Sequence, residues 1–296
     1  MKNFDISLYG NIIIDNVLKV SNFKENKSNE LIESYISLGG AANLIKTFLY
    51  LNGKLKISLN TSISSDEDGI FCRKWFSNLN KLYNKAVDCS YEMSKKNTSK
   101  AVIVSDNKKN IRTSIVNWGA CADMSNFLMK KSKWHHFLYI DKLKNLNATH
   151  FKEISEESSI SVDFCLNQHS EKNKKRIFEI LKYVDYVFIS DAEAESLMNS
   201  KDKDYNSLEL AKKTKGIVVL HTPRGSIVSD GEKITRIKTN YISDMPLDVL
   251  GAGDIFAAFF INKMIENSST NVLQSIKMSH DYITGLLLEN GKRKKI

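Results

Sequence analysis

The chain reads Asp248-Val249-Leu250-Gly251-Ala252-Gly253-Asp254 immediately before an apolar, helix-like stretch at residues 255–265. The Gly-Ala-Gly turn is therefore predicted to open a helix. Residues with almost no side chain let a ligand approach their backbone N–H groups closely, and the first N–H groups of a helix have no partner within it. Such a turn attracts anions.

The aspartate that ends this turn needs an explanation, because a carboxylate repels an anion. A role as a catalytic base would explain Asp254, because such a base takes a proton from the hydroxyl group that attacks a phosphoryl group. The turn and the carboxylate together therefore indicate phosphoryl transfer. The alternative is an ordinary loop whose aspartate caps the helix, since Asp is a favoured N-cap residue.

A second glycine-rich turn lies near the other end of the chain. It reads Leu38-Gly39-Gly40-Ala41-Ala42-Asn43 and leads into residues 44–51, which carry apolar side chains at helical spacing. Gly53 follows as a stop signal. The sequence therefore predicts two helices that each begin at a glycine-rich turn.

These two segments resemble the signatures of the ribokinase-like family of carbohydrate kinases, also called the phosphofructokinase B family. Its first signature is a Gly-Gly pair followed shortly by Asn, as in Gly39-Gly40 and Asn43. Its second is Asp-Thr-Thr-Gly-Ala-Gly-Asp, which residues 248–254 match except that Val249-Leu250 replaces the two threonines. Further matches in order and spacing extend the resemblance along nearly the whole chain: Gly10-Asn11, Asp15, Ser190-Asp191-Ala192-Glu193 and Thr222-Pro223-Arg224-Gly225-Ser226.

The resemblance implies an α/β fold, a three-layer sandwich with a mainly parallel central sheet and a small β-sheet lid. The chain's own pattern agrees, because short apolar segments alternate with helix-like ones. Strand-like segments lie at residues 4–9, 56–59, 136–140, 160–164, 186–189 and 216–220, and helix-like segments at residues 172–181, 192–198 and 272–288. We expect a single kinase domain over residues 1–296.

Two stretches interrupt this alternation. Residues 16–35 are polar, and residues 100–118 contain two apolar runs around a polar turn, which predicts a hairpin. In the resembled family, strands inserted at these places form the lid over the sugar site and often a dimer contact. The resemblance therefore implies lid segments at about 16–35 and 100–118, and a homodimer through the lid.

The resemblance also assigns roles around the acceptor hydroxyl. Asp254 would be the base, and the backbone N–H groups of Gly251, Ala252 and Gly253 would form an anion hole. Four residues would hold sugar hydroxyls: Asp15, Gly39, Gly40 and Asn43. Arg112, on the predicted hairpin, would meet a substrate phosphate, carboxylate or ring oxygen, or else be a solvated lid residue.

Matches to the family's nucleotide site imply ATP and Mg²⁺ as cofactors. Thr222, Arg224 and Gly225 match a segment that lies along the ATP phosphates, although Pro and Gly in the same stretch also favour a simple turn. Glu193 matches the glutamate of an Asn-x-x-Glu motif associated with magnesium and phosphate placement. Ser190 stands where the asparagine is usual.

Two further positions complete the nucleotide side. His280 matches a position that often borders the adenine, although a lone histidine on an apolar-periodic helix is more commonly a packing or surface residue. Asp248 would lie near a bound monovalent cation, K⁺.

Composition narrows the class of protein. The 296 residues are 42% hydrophobic, enough for a sizeable core. No apolar stretch approaches the roughly 20 residues that cross a bilayer, and polar residues interrupt the first apolar run, so we expect a cytoplasmic protein with no membrane partner. The net charge is +9, but the lysines are spread along the chain without a nucleic-acid-binding motif, so no nucleic-acid partner is expected.

The cysteines indicate neither a metal site nor a disulfide framework. Cys72, Cys89, Cys121 and Cys165 are scattered, with no Cys-x-x-Cys pair. Reduced thiols are the expected state.

The identity of the substrate is left open by these residues. A neutral monosaccharide of the ribose, fructose or ketodeoxygluconate type is the first hypothesis. A nucleoside such as adenosine is the second, and it needs an aromatic pocket in the lid, for which Phe23, Tyr35 and Trp118 are candidates. A catalytically silent sugar or nucleotide sensor is the third, indicated by the altered Val249-Leu250 pair and Ser190. The retained Asp254 with its glycine turn argues against the sensor.

Overall fold

The protein is described by a computed structural model that covers residues 3–106, 111–165, 170–222, 224–239, 250–267 and 271–288. Its strands there are β1 Phe4–Tyr9, β2 Ile12–Val20, β3 Leu31–Gly40, β4 Ile57–Ile63, β5 Val87–Met93, β6 Lys100–Asp106, β7 Ile111–Asn117, β8 Ser132–Phe137, β9 Ser159–Asp163, β10 Tyr186–Ser190, β11 Ile217–Thr222, β12 Gly225–Ser229 and β13 Ile234–Lys238. The α-helices are α1 Ala41–Leu51, α2 Glu67–Leu82, α3 Ala148–Ile154, α4 Glu171–Leu181, α5 Asp191–Met198, α6 Lys203–Ala211, α7 Ala252–Glu266 and α8 Val272–Leu288.

A central sheet runs through the molecule in the strand order β13-β12-β11-β10-β9-β8-β1-β4-β5. The pairs from β11 to β5 are parallel, and β12 and β13 add an antiparallel hairpin at one edge. The inner strands are apolar and buried on both faces, as expected of parallel strands covered by helices. The mainly parallel central sheet is confirmed.

Helices cover both faces of this sheet. One buried cluster joins the sheet to α1, α2, α7 and α8, and the other joins it to α3, α4, α5 and α6. Because each strand sends alternate side chains to opposite faces, Ile6 and Leu8 of β1 belong to the first cluster and Tyr9 to the second. The three-layer architecture is confirmed.

A second, smaller sheet has the order β3-β2-β6-β7. Two antiparallel pairs, β2 with β3 and β6 with β7, join through the parallel pair of β2 and β6. The small sheet that the resemblance implied is therefore present. Residues 107–110, at the predicted hairpin turn, lie outside the described residues.

The boundary of one strand differs from its prediction. Residues 136–140 were expected as a strand, but β8 ends at Phe137 and residues 138–142 form a turn. Tyr139 takes up a left-handed conformation with φ 55°, and its N–H group donates a hydrogen bond to Oδ1 of Asp163. The apolar run continues through this turn because the turn residues Leu138 and Ile140 are buried.

Helix α7 is anchored to the sheet by aromatic packing. The Phe260 ring makes edge-to-face contacts with Tyr186 and Phe188, at centroid distances of 5.1 and 5.4 Å, and with Trp134 at 6.4 Å. Such pairs add to the free energy gained by burying their area. This packing fixes where the N-terminus of α7 lies.

No helix in the described ranges is both long and apolar enough to cross a membrane. The four cysteines are all free thiols.

Replacing the anchor ring should show how much α7 depends on it. Phe260→Ala is expected to lower the free energy of unfolding by about 3–5 kcal/mol, because Phe260 is fully buried. Urea denaturation measures this loss. Leu82→Ala, at a side chain that is 69% exposed at the end of α2, is the control and should stay within about 0.5 kcal/mol of the parent. Equal losses in both variants would contradict the anchoring role.

Candidate active site

The two glycine-rich turns meet in the folded chain. Helices α1 and α7 pack side by side, and Nδ2 of Asn43 donates a hydrogen bond of 2.7 Å to Oδ2 of Asp254. Both side chains are buried although each lies in the first turn of its helix. Tertiary packing thus joins two segments that are 211 residues apart in the sequence.

The turn at the start of α7 has no side-chain cap. Gly251 is the N-cap residue with φ 70° and ψ 16°, a conformation that glycine adopts without strain. Among the described residues, no atom lies within 4 Å of a Cβ atom added to Gly253. The described residues therefore leave the space beside Gly253 open, and packing against them does not require a small residue there. Ala252 lies between the two glycines as the first residue of α7.

The turn at the start of α1 is closely packed. Gly40 has φ 60° and ψ −127°, and a Cβ atom there would lie 2.5 Å from the carbonyl oxygen of Asn11. A Cβ atom on Gly39 would collide with Oδ2 of Asp15. The buried carboxylate of Asp15 on β2 therefore lies directly against the Gly39 backbone, two residues before the helix that carries Asn43.

The side chain of Asn11 is fully buried, and neither its Oδ1 nor its Nδ2 has a hydrogen-bond partner among the described residues. Its backbone carbonyl accepts the N–H group of Ala41 at 2.8 Å, which places it beside the start of α1. A buried amide without partners is costly, so a ligand or water that paired with it would stabilise the site. Asn11 carried part of the resemblance but was not predicted as a site residue.

Tyr139 is a further residue that the sequence reasoning missed. Its hydroxyl donates to Oδ1 of Asp254 at 3.3 Å. Burial, followed by the charges of Asp254 and Asp163, holds the pKa of this phenol well above its ordinary value. No sequence signal marked it, because it was assigned to the interior of a strand.

Polar residues gather at the carboxyl ends of the parallel strands, the edge where α/β sheets bind ligands. Asp163 ends β9, and Asp141 follows β8 and accepts the N–H group of Cys165 at 3.2 Å. Burial raises the pKa of Asp141 to about 6, with a smaller contribution from the charge of Asp163. Ser190 ends β10 and Thr222 ends β11, so the predicted nucleotide residues share this edge.

Ser190 and Glu193 form a reciprocal capping box at the start of α5. The Glu193 carboxylate accepts the Ser190 N–H group at 2.8 Å, and Oγ of Ser190 accepts the Glu193 N–H group at 3.3 Å. Serine caps a helix about as well as asparagine, so Ser190 preserves this helix start. Burial raises the pKa of Glu193 to about 7, and the charges of Asp141 and Asp163 add to the rise.

The predicted phosphate segment is a tight turn between β11 and β12. Oγ1 of Thr222 accepts the N–H group of Arg224 at 3.3 Å and donates to the carbonyl of Gly225 at 3.2 Å. The Arg224 side chain is exposed. Pro223 lies outside the described residues.

His280 takes part in a buried polar network. Its Nε2 lies 2.8 Å from Oγ of Ser226, which is also 3.4 Å from Nδ1 of His221. The Phe256 ring contacts both imidazoles, at centroid distances of 4.9 Å from His280 and 4.4 Å from His221. Burial lowers the pKa of His280 to about 4 and that of His221 to about 3. These contacts are enough to explain a histidine at position 280 without a ligand. A role of His280 at the adenine stays a prediction.

Two predicted residues lie apart from Asp254 or cannot be placed. Arg112 is exposed on β7 opposite Ser105, and the strand register puts it on the same face of the small sheet as Asp15 but farther along the strands. Asp248 lies outside the described residues. Within the described ranges, no three His, Cys, Asp or Glu side chains are grouped closely enough to hold a metal ion directly.

The chain matches the sequence profile of the pfkB family carbohydrate kinases over residues 4–280. It therefore belongs to the PfkB family and is a phosphotransferase that acts on a hydroxyl group. Family membership confirms the resemblance read from the two glycine-rich signatures, and it implies the use of ATP.

Solved structures of this fold superpose along almost the whole chain. Ribokinase from Thermotoga maritima is 19% identical, with a TM-score of 0.71 over 96% of this chain and 93% of that one. Adenosine kinase from Schistosoma mansoni, in complex with 2-fluoroadenosine, is 17% identical, with a TM-score of 0.75 over 96% and 95%. Ribokinase from Cryptococcus neoformans, in complex with ADP, is 12% identical, with a TM-score of 0.70 over 96% and 94%. A search of curated protein sequences gave no match.

The histidine network predicts how stability depends on pH. Below the ordinary histidine pKa of 6.5, the unfolded chain binds a proton that His280 in the folded protein does not bind until about pH 4. The free energy of unfolding should therefore fall as the pH drops from 6.5 towards 4. In His280→Gln, the slope of the free energy of unfolding against pH should be smaller by about 1.4 kcal/mol per pH unit, because one proton fewer is taken up on unfolding. Urea denaturation of both proteins between pH 7.5 and 4.5 measures the slopes, and identical slopes would contradict the neutral, buried state of His280.

Proposed function

We propose that the protein transfers the γ-phosphoryl group of ATP to a hydroxyl group of a small sugar of the ribose, fructose or ketodeoxygluconate type, in the cytoplasm. The observation that supports this best is the contact of Asn43 with Asp254 beside the open, uncapped turn at Gly251–Gly253. This contact places a buried carboxylate next to a group of backbone N–H donors. A proton acceptor and an anion hole would then lie within one helical turn.

In the proposed reaction, Asp254 accepts the proton of the sugar hydroxyl as its oxygen attacks the γ-phosphorus. The bond from that phosphorus to the bridging oxygen breaks, and ADP leaves. The N–H groups of Gly251, Ala252 and Gly253 stabilise the negative charge that develops on the transferred group. Asn43 keeps the carboxylate oriented through its bond to Oδ2, and Asp15 with the Gly39-Gly40 backbone holds neighbouring sugar hydroxyls.

On the nucleotide side, we propose that the turn at Thr222, Arg224 and Gly225 lies along the phosphates and that His280 borders the adenine. Burial raises the pKa of Glu193, and the negative charges of Asp141 and Asp163 raise it further. Burial and the charge of Asp163 likewise raise the pKa of Asp141, and a nearby cation would relieve this repulsion. Carboxylate oxygens suit Mg²⁺, which keeps several of its waters. Because these groups form no direct metal cage, Glu193 would act on phosphate-bound Mg²⁺ through water. The ion would neutralise charge on the phosphates.

We propose that residues 1–296 form one kinase domain in which the segments at 16–35 and 100–118 act as a lid. The support is a buried cluster that contains Leu250 and four small-sheet residues: Ile13, Val17, Ala101 and Ile103. Leu250 directly precedes the Gly251 turn, so the small sheet packs on the catalytic segment. A lid held there would exclude water, which competes with the sugar for the phosphoryl group.

This cluster also bears on the sensor hypothesis. Leu250 stands where the family signature has threonine, and it is buried against the small sheet. Ser190 likewise retains a full capping box. Leu250 thus has a packing role and Ser190 a capping role, while Val249 lies outside the described residues. Nothing in the described residues favours a silent sensor.

A nucleoside is the second candidate acceptor, favoured by aromatic residues near Asp254. Tyr35, Trp118 and Tyr139 all pack against the Leu250 cluster, and the rings of Trp118 and Tyr139 meet edge-to-face at 6.0 Å. Aromatic side chains are the usual platform for a nucleobase. Phe23, the third candidate from the sequence, donates a 2.6 Å hydrogen bond from its N–H group to Asp106, the last residue of β6.

A turnover assay with matched variants tests the proposed function. ADP release from ATP and Mg²⁺, with and without added K⁺, would be measured on ribose, fructose, ketodeoxygluconate, fructose phosphates, adenosine and other nucleosides. Asp254→Asn should reduce turnover by at least 10³-fold while nucleotide binding persists. Gly253→Ala should also reduce turnover, because its methyl group would stand where the phosphoryl group must approach. Its melting temperature should match that of the parent, because the methyl group meets no atom of the described residues.

Turnover on adenosine alone would favour the nucleoside hypothesis. Full turnover in Asp254→Asn would contradict the assignment of the base, and saturable binding of a sugar without turnover would favour the sensor.

We also propose a homodimer through the outer face of the small sheet. On the face opposite the Leu250 cluster, Ile36 and Ile115 lie in one cross-strand row with Asn16 and Val102 and are 62% and 71% exposed. Apolar side chains exposed in a row mark an interaction surface.

Light scattering after size exclusion should give about twice the chain mass of 33.7 kDa for the parent. The double variant Ile36→Glu with Ile115→Glu should give the mass of one chain, because like charges would face each other across the two-fold axis. Leu82→Glu, at an exposed site on α2, should stay dimeric. A parent protein with the mass of one chain at micromolar concentration would contradict the proposal.

A further inference from the structure

Tyr139 touches the carboxylate that is proposed as the base. Its hydroxyl lies 3.3 Å from Oδ1 of Asp254, while Nδ2 of Asn43 lies 2.7 Å from Oδ2. Each carboxylate oxygen thus accepts a hydrogen bond from a different part of the chain, one from α1 and one from the turn after β8. Two donors on opposite oxygens fix both the position and the rotation of a carboxylate.

The backbone of Tyr139 is held in an uncommon conformation. A φ of 55° is rare for an aromatic residue and persists only where the surroundings enforce it. Two neighbours do so: Asp163 accepts the Tyr139 N–H group, and the Arg176 guanidinium donates to the carbonyl of Ile140 at 2.9 Å. Arg176 also donates 3.0 Å bonds to the carbonyls of Leu143 and Leu146. The half-buried guanidinium of Arg176 thus stabilises the turn that contains Tyr139.

The ring of Tyr139 is fixed as firmly as its backbone. It packs against the Leu250 cluster and meets Trp118 edge-to-face. A Cβ atom on Gly40 would lie 3.8 Å from its Cε2 atom, so the ring borders the glycine turn of α1. Tyr139 therefore touches three parts of the site: the start of α1, the small sheet and Asp254.

The Tyr139 hydroxyl is the donor in its hydrogen bond to Asp254. Burial and the charges of Asp254, Asp163, Cys165 and Asp15 hold its pKa well above the ordinary value of 10. A protonated phenol next to a carboxylate stabilises the ionised form of that carboxylate.

We propose that Tyr139 is a positioning residue for Asp254, which orients the carboxylate and keeps it ionised for the acceptor hydroxyl. The proposal rests on the proposed function, in which Asp254 is the base. It predicts that the effect of Tyr139 falls on kcat and on the protonation of Asp254, with less effect on KM.

Tyr139→Phe tests this with the ring contacts intact, so the variant should fold. On the best substrate of the panel, kcat should fall about tenfold, and the acidic limb of the profile of kcat/KM against pH should move up by about half a unit to one unit, because the carboxylate loses a donor to its ionised form. The matched control is Tyr9→Phe. Tyr9 is also buried, and its hydroxyl lies 3.1 Å from Nδ1 of His135, away from Asp254. It should lose stability without a shift in the acidic limb.

A second measurement needs no turnover. Carbon-13 titration of the Asp carboxyl groups, with the Asp254 signal identified by its absence in Asp254→Asn, gives the pKa of Asp254 directly. A higher pKa in Tyr139→Phe than in the parent and in Tyr9→Phe supports the proposal. An unchanged pKa overturns it, as does an unshifted acidic limb with parental kcat. If the parent phosphorylates nothing in the panel, the proposed function fails, and the titration alone still decides the role of Tyr139.

Discussion

The packing of α7 against the central sheet and beside α1 determines where Asp254 and its hydrogen-bond partner Asn43 lie. The Phe260 ring buries the middle of α7 against Trp134, Tyr186 and Phe188, and this contact sets the position of its first turn. Because α1 packs beside α7, the Gly40 turn ends next to Asp254, and Asn43 reaches the carboxylate. An apolar contact in the core thus places two polar groups at hydrogen-bond distance. The free energy of burying aromatic area stabilises a site whose carboxylate is costly to bury.

Nearby hydrogen-bond donors offset part of the cost of burying these carboxylates. Asp254 accepts from Asn43 and Tyr139, and Glu193 accepts from the Ser190 backbone. Carboxylates that are held by hydrogen bonds can take a proton or face a cation, which are the two tasks that phosphoryl transfer requires.

Much of the fold and part of the site could be predicted from the sequence, because some residues act through local geometry. The glycine turns predict where helices begin, and short apolar segments that alternate with helix-like segments predict a parallel sheet. Both patterns depend only on residues that are close in the chain. Tyr139 and Leu250 could not be found in this way. Tyr139 lies in an apolar run that is typical of a strand. The folded chain shows that the strand has already ended, because the N–H group of Tyr139 donates to Asp163, on the next strand of the sheet. From the sequence, Leu250 is only a departure from the family signature. Its role in packing against the small sheet is visible only in the structure.

The sequence by itself determined the class of fold, the two helix starts and the identity of Asp254 as the carboxylate of the glycine turn. These follow from spacings within a few residues, where backbone sterics and hydrogen-bond geometry leave few choices. Only the tertiary structure decided that Asn43 bonds to Asp254, that His280 shares Ser226 with His221, and that Tyr139 lies against the carboxylate. Such contacts join segments that are more than 50 residues apart, and they arise from the packing of the whole core rather than from any local pattern.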